Sequence, residues 1–241
     1  MLARNQIRRD SGLIRTPQPR WENVVFLCSW DGTDAATTAT DDSSLGLTIS
    51  FQSDAQLDTA QKRIGPSSLL LDGTGDACDV PNNSAYHLGA GDFTLETYVR
   101  FNNASTEAAL MFIYTSASNQ RAYGIEHYPA GGNTLFFYWS TTGANSFNVQ
   151  RPWNPVANRW YHVAICRRGN LLYMFLGGKL IEKAEPFTST IFNSGLRGMH
   201  FGEIQSNIIN LNGWLDETRV TVGEGIYVKD FVPPQSAFPR Q

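Results

Sequence analysis

The sequence predicts an all-β protein, built as one large sandwich of antiparallel strands. From Trp21 onward, short runs of β-branched and aromatic residues are separated by Gly, Asn, Asp and Ser, and helical periodicity is scarce. The composition, 41% hydrophobic and 17% charged, is that of a globular domain rather than of a disordered chain. A length of 241 residues suits a single β-sandwich with one core.

One strand is predicted over residues 92–101, where apolar and polar side chains alternate strictly. Successive side chains of a strand point to opposite faces, so this pattern predicts a half-buried strand. The predicted inner positions are Phe93, Leu95, Val99 and Phe101, and the predicted outer positions are Thr94, Glu96, Tyr98 and Arg100.

A three-stranded meander is predicted further along the chain. Its strands are 160–167, 171–176 and 179–183, joined by a turn at 168–170 and by Gly177-Gly178. Tight hairpin turns require positive φ, which glycine adopts at little cost, and we expect Gly178 to adopt it. Further strands are predicted over residues 23–29, 47–51, 68–72, 109–115, 121–127, 133–140, 198–203 and 213–222.

Residues 1–20 are predicted to form an extended arm, because they lack periodicity and contain Pro17 and Pro19. The arm carries five Arg against one Asp, whereas the rest of the chain is acidic. An acidic body lacks the clustered basic face of a nucleic-acid-binding domain, so we expect no nucleic-acid partner. The residues proposed to anchor the arm in an assembly are Arg4, Arg8, Arg9, Leu13, Ile14, Arg15 and Arg20.

The chain shows no apolar run resembling a signal peptide and no stretch of 18 apolar residues, so we expect synthesis in a cytoplasm without membrane insertion. The cysteines, Cys28, Cys78 and Cys166, are odd in number and widely spaced, which argues against a disulfide framework or a zinc site.

Five short motifs occur in a fixed order, and five ordered motifs are more specific than any one of them. They are Leu70-Leu71-Asp72-Gly73-Thr74-Gly75-Asp76, Gly91-Asp92-Phe93-Thr94-Leu95-Glu96, Arg159-Trp160-Tyr161-His162-Val163-Ala164, Leu172-Tyr173 through Gly177-Gly178, and Gly213-Trp214-Leu215-Asp216-Glu217-Thr218-Arg219-Val220. Together they resemble the laminin-G-like, concanavalin A-like domains common in bacteriophage virion proteins and bacterial surface proteins. The resemblance covers about residues 21–239 and implies a jelly roll of two packed antiparallel sheets. We therefore divide the chain into an arm at 1–20 and a laminin-G-like sandwich domain at 21–241.

No catalytic residues are predicted. Glycoside hydrolysis requires two carboxylates facing one sugar, and the Glu-x-Asp-x-x-Glu spacing of laminarinase-type relatives is absent. Asp216 and Glu217 are adjacent on a predicted strand and should point to opposite faces. The four histidines are scattered, and His162 is predicted to be a core residue with a satisfied ring nitrogen. The sequence therefore predicts that the protein is not an enzyme.

The sequence predicts no cofactor other than a candidate structural Ca²⁺. Ca²⁺ prefers oxygen ligands from acidic loops. Asp31, after the first predicted strand, resembles the position where many laminin-G-like domains hold calcium, with Asp216 as its partner. The alternative is an Asx turn at Asp31 and a hydrogen-bonded Asp216 without metal.

Carbohydrate binding in such folds depends on aromatic rings that stack on the apolar face of a sugar. The candidate rings lie in or beside segments rich in Gly, Asn and Ser, and the alternative is that they fill the core or an interface. They are Trp139, Tyr138, Trp153 and Tyr128.

Two functions are predicted from these features. The first is a non-enzymatic structural protein of a bacteriophage virion: a capsid decoration, head-fibre or tail accessory component anchored through its arm. Its partners would be other virion proteins and copies of itself. The alternative is a lectin module that binds cell-surface glycans for adhesion to a host.

Overall fold

The computed structural model describes residues 17–130, 132–181, 185–204 and 209–240. The described residues form a sandwich of two large antiparallel sheets and one small hairpin, which confirms the predicted jelly-roll fold. The strands are β1 (Val24–Cys28), β2 (Ser50–Gln52), β3 (Gln56–Asp58), β4 (Ser68–Asp72), β5 (Ala77–Val80), β6 (Phe93–Phe101), β7 (Ala108–Ile113), β8 (Tyr123–Tyr128), β9 (Thr134–Trp139), β10 (Phe147–Pro152), β11 (Trp160–Arg168), β12 (Leu171–Leu176), β13 (Lys179–Leu180), β14 (Glu185–Pro186), β15 (Met199–Phe201), β16 (Glu203–Ile204), β17 (Ile209–Asn210) and β18 (Asn212–Val222). Three short 3-10 turns lie at Trp21–Asn23, Ser84–Tyr86 and Ala117–Asn119.

The two sheets differ in how their strands are ordered. The larger sheet has the order β13-β12-β11-β6-β18-β4-β3, with β1 paired to β18 and β14 paired to β12. The seven-stranded sheet has the order β10-β9-β8-β7-β15-β5-β2, and β16 pairs with β17 in a separate hairpin. Within the described chain, no helix has the length and apolar character that crossing a membrane requires.

The main core lies between the sheets and follows the predicted alternation. Phe93, Leu95, Val99 and Phe101 of β6 are fully buried there, and so is Ile165 of β11. Fully burying one such side chain stabilises the fold by about 1.5–3 kcal/mol. The predicted inner positions of β6 are therefore confirmed.

The prediction that β6 is only half buried is wrong. Thr94, Glu96 and Tyr98, on its opposite face, are also buried, because the segment 223–239 covers this side of the larger sheet. The backbone N–H of Ile226 donates to the Thr94 hydroxyl at 2.9 Å, and the Tyr98 hydroxyl donates to the Pro234 carbonyl at 2.5 Å. A strand with burial on both faces thus sits in the centre of the molecule.

The predicted meander is present as β11, β12 and β13. The turn after β12 contains Gly178 at φ +76, so its expected positive φ is confirmed. The third strand ends at Leu180 in the structure, and residues 182–183 of its predicted range lie outside the described residues. The short strands β3, β5, β14 and β17 were not predicted, because they carry too few residues for a clear alternation. The six-residue strand β10 was also not predicted, because none of its residues is buried and it lacks an apolar face.

The three cysteines are buried and free of disulfides, as the sequence predicts. Burial raises the pKa of each thiol, that of Cys166 to about 12. Thiols that stay protonated in the core are inert packing residues.

Candidate functional site

A groove of about 210 Å³ lies on the outer face of the seven-stranded sheet. Alternation along β9 turns Leu135, Phe137 and Trp139 inward and leaves Phe136 and Tyr138 on the outer face. The hairpin β16–β17 closes one side of the groove. Its lining consists of Glu107, Phe112, Tyr114, Glu126, Phe136, Tyr138, Ile204 and Ile209.

The aromatic rings of the groove form one cluster. The Tyr138 ring centroid lies 5.6 Å from that of Tyr114 and 6.4 Å from that of Phe112. Phe112 and Tyr138 are both register partners of Gly124 on β8, and a Cβ at Gly124 would lie 2.1 Å from the Phe112 ring. The absence of a side chain at Gly124 therefore lets the Phe112 ring lie close over the sheet.

The groove also contains two notable polar groups, the hydroxyl of Tyr138 and the carboxyl of Glu126. The hydroxyl of Tyr138 is buried and has no hydrogen-bond partner within the described chain. Burial, together with the neighbouring Glu107 carboxylate, raises the pKa of Glu126 to about 8. Burial also raises the pKa of Glu107. Glu126 is therefore mostly protonated near neutral pH and can both donate and accept a hydrogen bond.

The sequence-predicted aromatic residues divide between this face and the core. Tyr138 lines the groove, and Tyr128 lies beside it with its ring 5.5 Å from that of Phe136. Trp139 and Trp153, in contrast, pack in the main core between the sheets, so their rings do not line the groove. The structure brings together two of the four predicted rings.

The groove residues missed by the sequence analysis are Phe112, Tyr114, Phe136 and the two glutamates. Glu107 precedes β7 and Glu126 lies on β8, so spacing along a single strand does not reveal them. The signal that was present is the run Leu135-Phe136-Phe137-Tyr138-Trp139, which places large apolar rings on both faces of an antiparallel strand. An outer sheet face with aromatic rings indicates a covered or ligand-binding surface.

A second cluster consists of three carboxylates: Asp31, Asp216 and Glu217. The backbone N–H groups of Arg63 and Ile64 donate to Oδ2 of Asp216 at 2.7 and 3.0 Å, and that of Phe238 donates to Oε2 of Glu217 at 2.9 Å. The other oxygen of each, together with Oδ1 of Asp31, is buried without a hydrogen-bond partner in the described part of the structure.

The pKa values of these carboxyls are raised. Burial, together with repulsion from Asp31, raises the pKa of Asp216 to about 8 and that of Glu217 to about 7. Burial likewise raises the pKa of Asp31. Three carboxylates that repel one another therefore lie near β18, each with a buried oxygen that accepts no hydrogen bond within the described residues.

Glu217 joins this cluster because β18 is irregular there. Glu217 and Thr218 together face the single residue Thr97 of β6, since Asp216 pairs with Tyr98 and Arg219 pairs with Glu96. Glu217 also has φ +46. The prediction that Asp216 and Glu217 point to opposite faces was based on regular alternation along the strand. The β-bulge interrupts this alternation at Glu217.

The arm residues Arg4, Arg8, Arg9, Leu13, Ile14 and Arg15 lie outside the described residues. Arg20 is described and its side chain is 68% exposed, with nitrogens 3.8 Å from Glu22 and 4.0 Å from Glu224. Both contacts are within the same chain.

Comparison with known proteins decides the family. A model described as the concanavalin A-like lectin/glucanases superfamily, laminin-G type, matches residues 72–222. The chain belongs to this superfamily. Lectins and glucanases share the fold, so membership alone does not separate sugar binding from sugar hydrolysis. None of the curated protein sequences matches the chain significantly.

Solved structures with the same fold include clostridial toxin domains. The binding domain of Paraclostridial Mosquitocidal Protein 1 gives a TM-score of 0.61 at 16% identity, over 88% of this chain and 50% of that one. The binding domain of botulinum neurotoxin DC in complex with SialylT gives 0.61 at 16% identity, over 88% and 49%. A structure of botulinum neurotoxin type C, whose cell entry is dependent upon interaction with two ganglioside molecules, gives a TM-score of 0.60 at 15% identity, over 88% of this chain and 49% of that one. The superfamily domain described here spans about half the length of these chains, and the likeness concerns the fold.

Proposed function

We propose that this superfamily domain is a lectin that binds a sugar residue in the groove on the seven-stranded sheet. The observation that carries the proposal is the cluster of Phe112, Tyr114 and Tyr138 beside a protonated Glu126. Aromatic faces stack on the C–H side of a pyranose, and a few polar groups then fix its orientation. The free hydroxyl of Tyr138 and the carboxyl of Glu126 supply those polar groups.

The size of the groove limits what it holds. Its volume of about 210 Å³ is below the 300–1,000 Å³ of sites for drug-sized ligands. We therefore expect one terminal sugar residue to enter the groove, with the remainder of the glycan outside it. The toxin domain solved with SialylT and the ganglioside dependence of another toxin support a glycan ligand by analogy of fold.

Glycan-array screening followed by calorimetry tests this proposal. Tyr138→Ala should weaken binding at least tenfold, and Tyr138→Phe should weaken it severalfold, because it keeps the ring and removes the hydroxyl. The matched control is Tyr173→Ala, a half-buried tyrosine on β12 of the other sheet, which should bind like the wild type. A flat array, or binding that is unchanged by Tyr138→Ala, would contradict the proposal.

Hydrolysis is the second outcome to be measured, because Glu107 and Glu126 are two carboxyl groups in one groove. Any glycan that binds is incubated with the protein and examined for released reducing sugar. Release that is lost in Glu126→Gln would assign a glycosidase in place of a lectin.

We also propose that Asp31, Asp216 and Glu217 hold a structural Ca²⁺. Each carboxylate offers a free, buried oxygen, and the cation would neutralise charges that repel one another without it. Its role would be to tie the loop after β1 to β18, a central strand of the larger sheet.

The role in a bacteriophage virion remains a prediction from the sequence, as do assembly with virion proteins or further copies and the expected virion localisation. Deleting residues 2–20 tests it, with sedimentation for oligomeric state and co-sedimentation with particles that lack the protein. Unchanged assembly and attachment would exclude the arm as the anchor.

A further inference from the structure

A third group of ionisable side chains lies on the outer face of the seven-stranded sheet, outside both clusters described above. Asp79 of β5 and His200 of β15 are direct cross-strand partners, and Glu203 of β16 follows three residues after His200. One potential ligand atom from each lies within 4.8 Å of the other two. His200 and Glu203 are buried and Asp79 is half-buried.

We propose that Asp79, His200 and Glu203 bind a divalent transition-metal ion of the Zn²⁺ class. Nδ1 of His200 lies 2.5 Å from Oδ1 of Asp79 and 3.8 Å from Oε1 of Glu203. A tetrahedral Zn²⁺ with bonds of about 2.0–2.2 Å places its ligand atoms roughly 3.3 Å apart, which falls between these two spacings. Metal binding would widen the first spacing and narrow the second.

An ordinary ion pair accounts for the arrangement less well. His200 and Asp79 are close, yet neither Nδ1 nor Oδ1 makes a hydrogen bond within the described residues, although both atoms are buried. The His200 side chain is only 6% exposed, so water does not readily satisfy its ring nitrogen. The pair therefore lacks the geometry of an ordinary His–Asp hydrogen bond, and its 2.5 Å spacing would widen on binding a shared metal ion.

The chemistry of the donor set selects the metal. Ca²⁺ takes oxygen ligands, whereas an imidazole nitrogen with carboxylates suits Zn²⁺ and its neighbours among the transition metals. The imidazole nitrogen of His200 and the carboxylates of Asp79 and Glu203 together form such a mixed nitrogen and oxygen donor set. The site is thus chemically distinct from the all-oxygen cluster of Asp31, Asp216 and Glu217.

The surroundings leave room for a further ligand on the metal. Asp79 and His200 line a cavity of about 500 Å³, together with Ser50, Asn82 and Arg197. Three protein ligands leave the fourth tetrahedral position for water or another small donor from this cavity. The site also adjoins the proposed sugar groove, because Phe112 pairs with His200 and Ile204 follows Glu203.

Calorimetric titration of the untagged full chain with Zn²⁺, in excess Ca²⁺ and after dialysis against chelator, tests the site. We expect one equivalent of Zn²⁺ to bind, and His200→Gln and Asp79→Asn to weaken binding at least tenfold. His87→Gln, at a half-buried histidine outside the cluster, is the matched control and should bind like the wild type.

A second measurement does not depend on the folding of any variant. Zinc X-ray absorption of the wild type should show the outer-shell scattering of one imidazole ring. Absence of that scattering, absence of Zn²⁺ binding, displacement of Zn²⁺ by excess Ca²⁺, or full binding by His200→Gln would each overturn the proposal. Because sugar binding is not the readout, these outcomes are independent of the groove.

Discussion

Arg219 donates two hydrogen bonds to a single carboxylate oxygen of Glu96, from Nε at 2.9 Å and from Nη2 at 2.6 Å. The other oxygen of Glu96 accepts from the Tyr227 hydroxyl at 2.9 Å and lies 3.1 Å from Nε2 of His162. Burial alone would raise the pKa of Glu96, but the charge of Arg219 and the contact with His162 hold it below its ordinary value. The larger sheet thus encloses a charged network, which confirms His162 as a core histidine with a partner.

Glu96→Ala should destabilise the fold by about 3–5 kcal/mol, because it leaves the guanidinium of Arg219 buried without its counter-charge. Urea unfolding followed by circular dichroism measures the change. Arg20→Ala removes an exposed arginine and should change stability by less than about 0.5 kcal/mol. Equal effects of the two substitutions would show that the network does not stabilise the fold.

Adding Ca²⁺ at about 100 times its Kd should stabilise the chelator-treated protein by about 2.7 kcal/mol, or roughly 5–10 °C in Tm. The effect should vanish in Asp216→Asn. Asp34→Asn is the matched control in the same loop, because Asp34 is exposed and hydrogen-bonds to Thr59 rather than joining the cluster. A Tm that neither Ca²⁺ nor chelator shifts would exclude the metal.

Without calcium, the same carboxyls should make stability fall as pH rises. The pKa values of Asp216 and Glu217 are raised to about 8 and about 7, above their unfolded values near 4. Their contribution is therefore fully present below about pH 4 and is lost as pH rises through 7 and 8. Denaturant midpoints measured between pH 5 and 8.5 should decline less steeply in Asp216→Asn than in the wild type. An equal slope would show that Asp216 does not titrate in this range.

Sugar affinity should fall above about pH 8 if the groove binds as proposed. A bound sugar removes water from Glu126 and favours its neutral form, so ionisation opposes binding. The loss should reach about tenfold for each unit by which the sugar raises the pKa of Glu126. Glu126→Gln should bind with little pH dependence in calorimetry, since its amide stays neutral. A wild-type affinity that is constant from pH 6.5 to 9.5 would contradict this role.

The inner face of β6 was predictable because alternation is a local property of a strand. The burial of Glu96 and Tyr98 was not, because the covering residues Tyr227 and Pro234 lie more than a hundred positions later in the chain. Asp31 and Asp216 were identified through the family resemblance, whereas Glu217 enters their cluster only through a β-bulge. The groove residues of β7, β8 and β9 come together because these strands are neighbours in the sheet. The order of strands in a sheet cannot be read from the residue pattern of any single strand.

The turn between β12 and β13 offers a test of backbone geometry. Gly178 has φ +76, and a Cβ there would lie 2.1 Å from the carbonyl oxygen of Phe231, in the segment that covers the larger sheet. Gly169, in the neighbouring hairpin turn, has φ +60, and a Cβ there would meet nothing within 4 Å.

Gly169→Ala should therefore cost only the positive-φ penalty of about 1–2 kcal/mol, measured by urea unfolding. Gly178→Ala should cost clearly more, because it adds a clash with the backbone of Phe231, whose N–H donates to the Gly178 carbonyl at 2.9 Å. Equal losses of unfolding free energy for the two substitutions would mean that the segment 223–239 moves aside freely. The contact between this segment and the turn would then not help to hold the segment on the sheet.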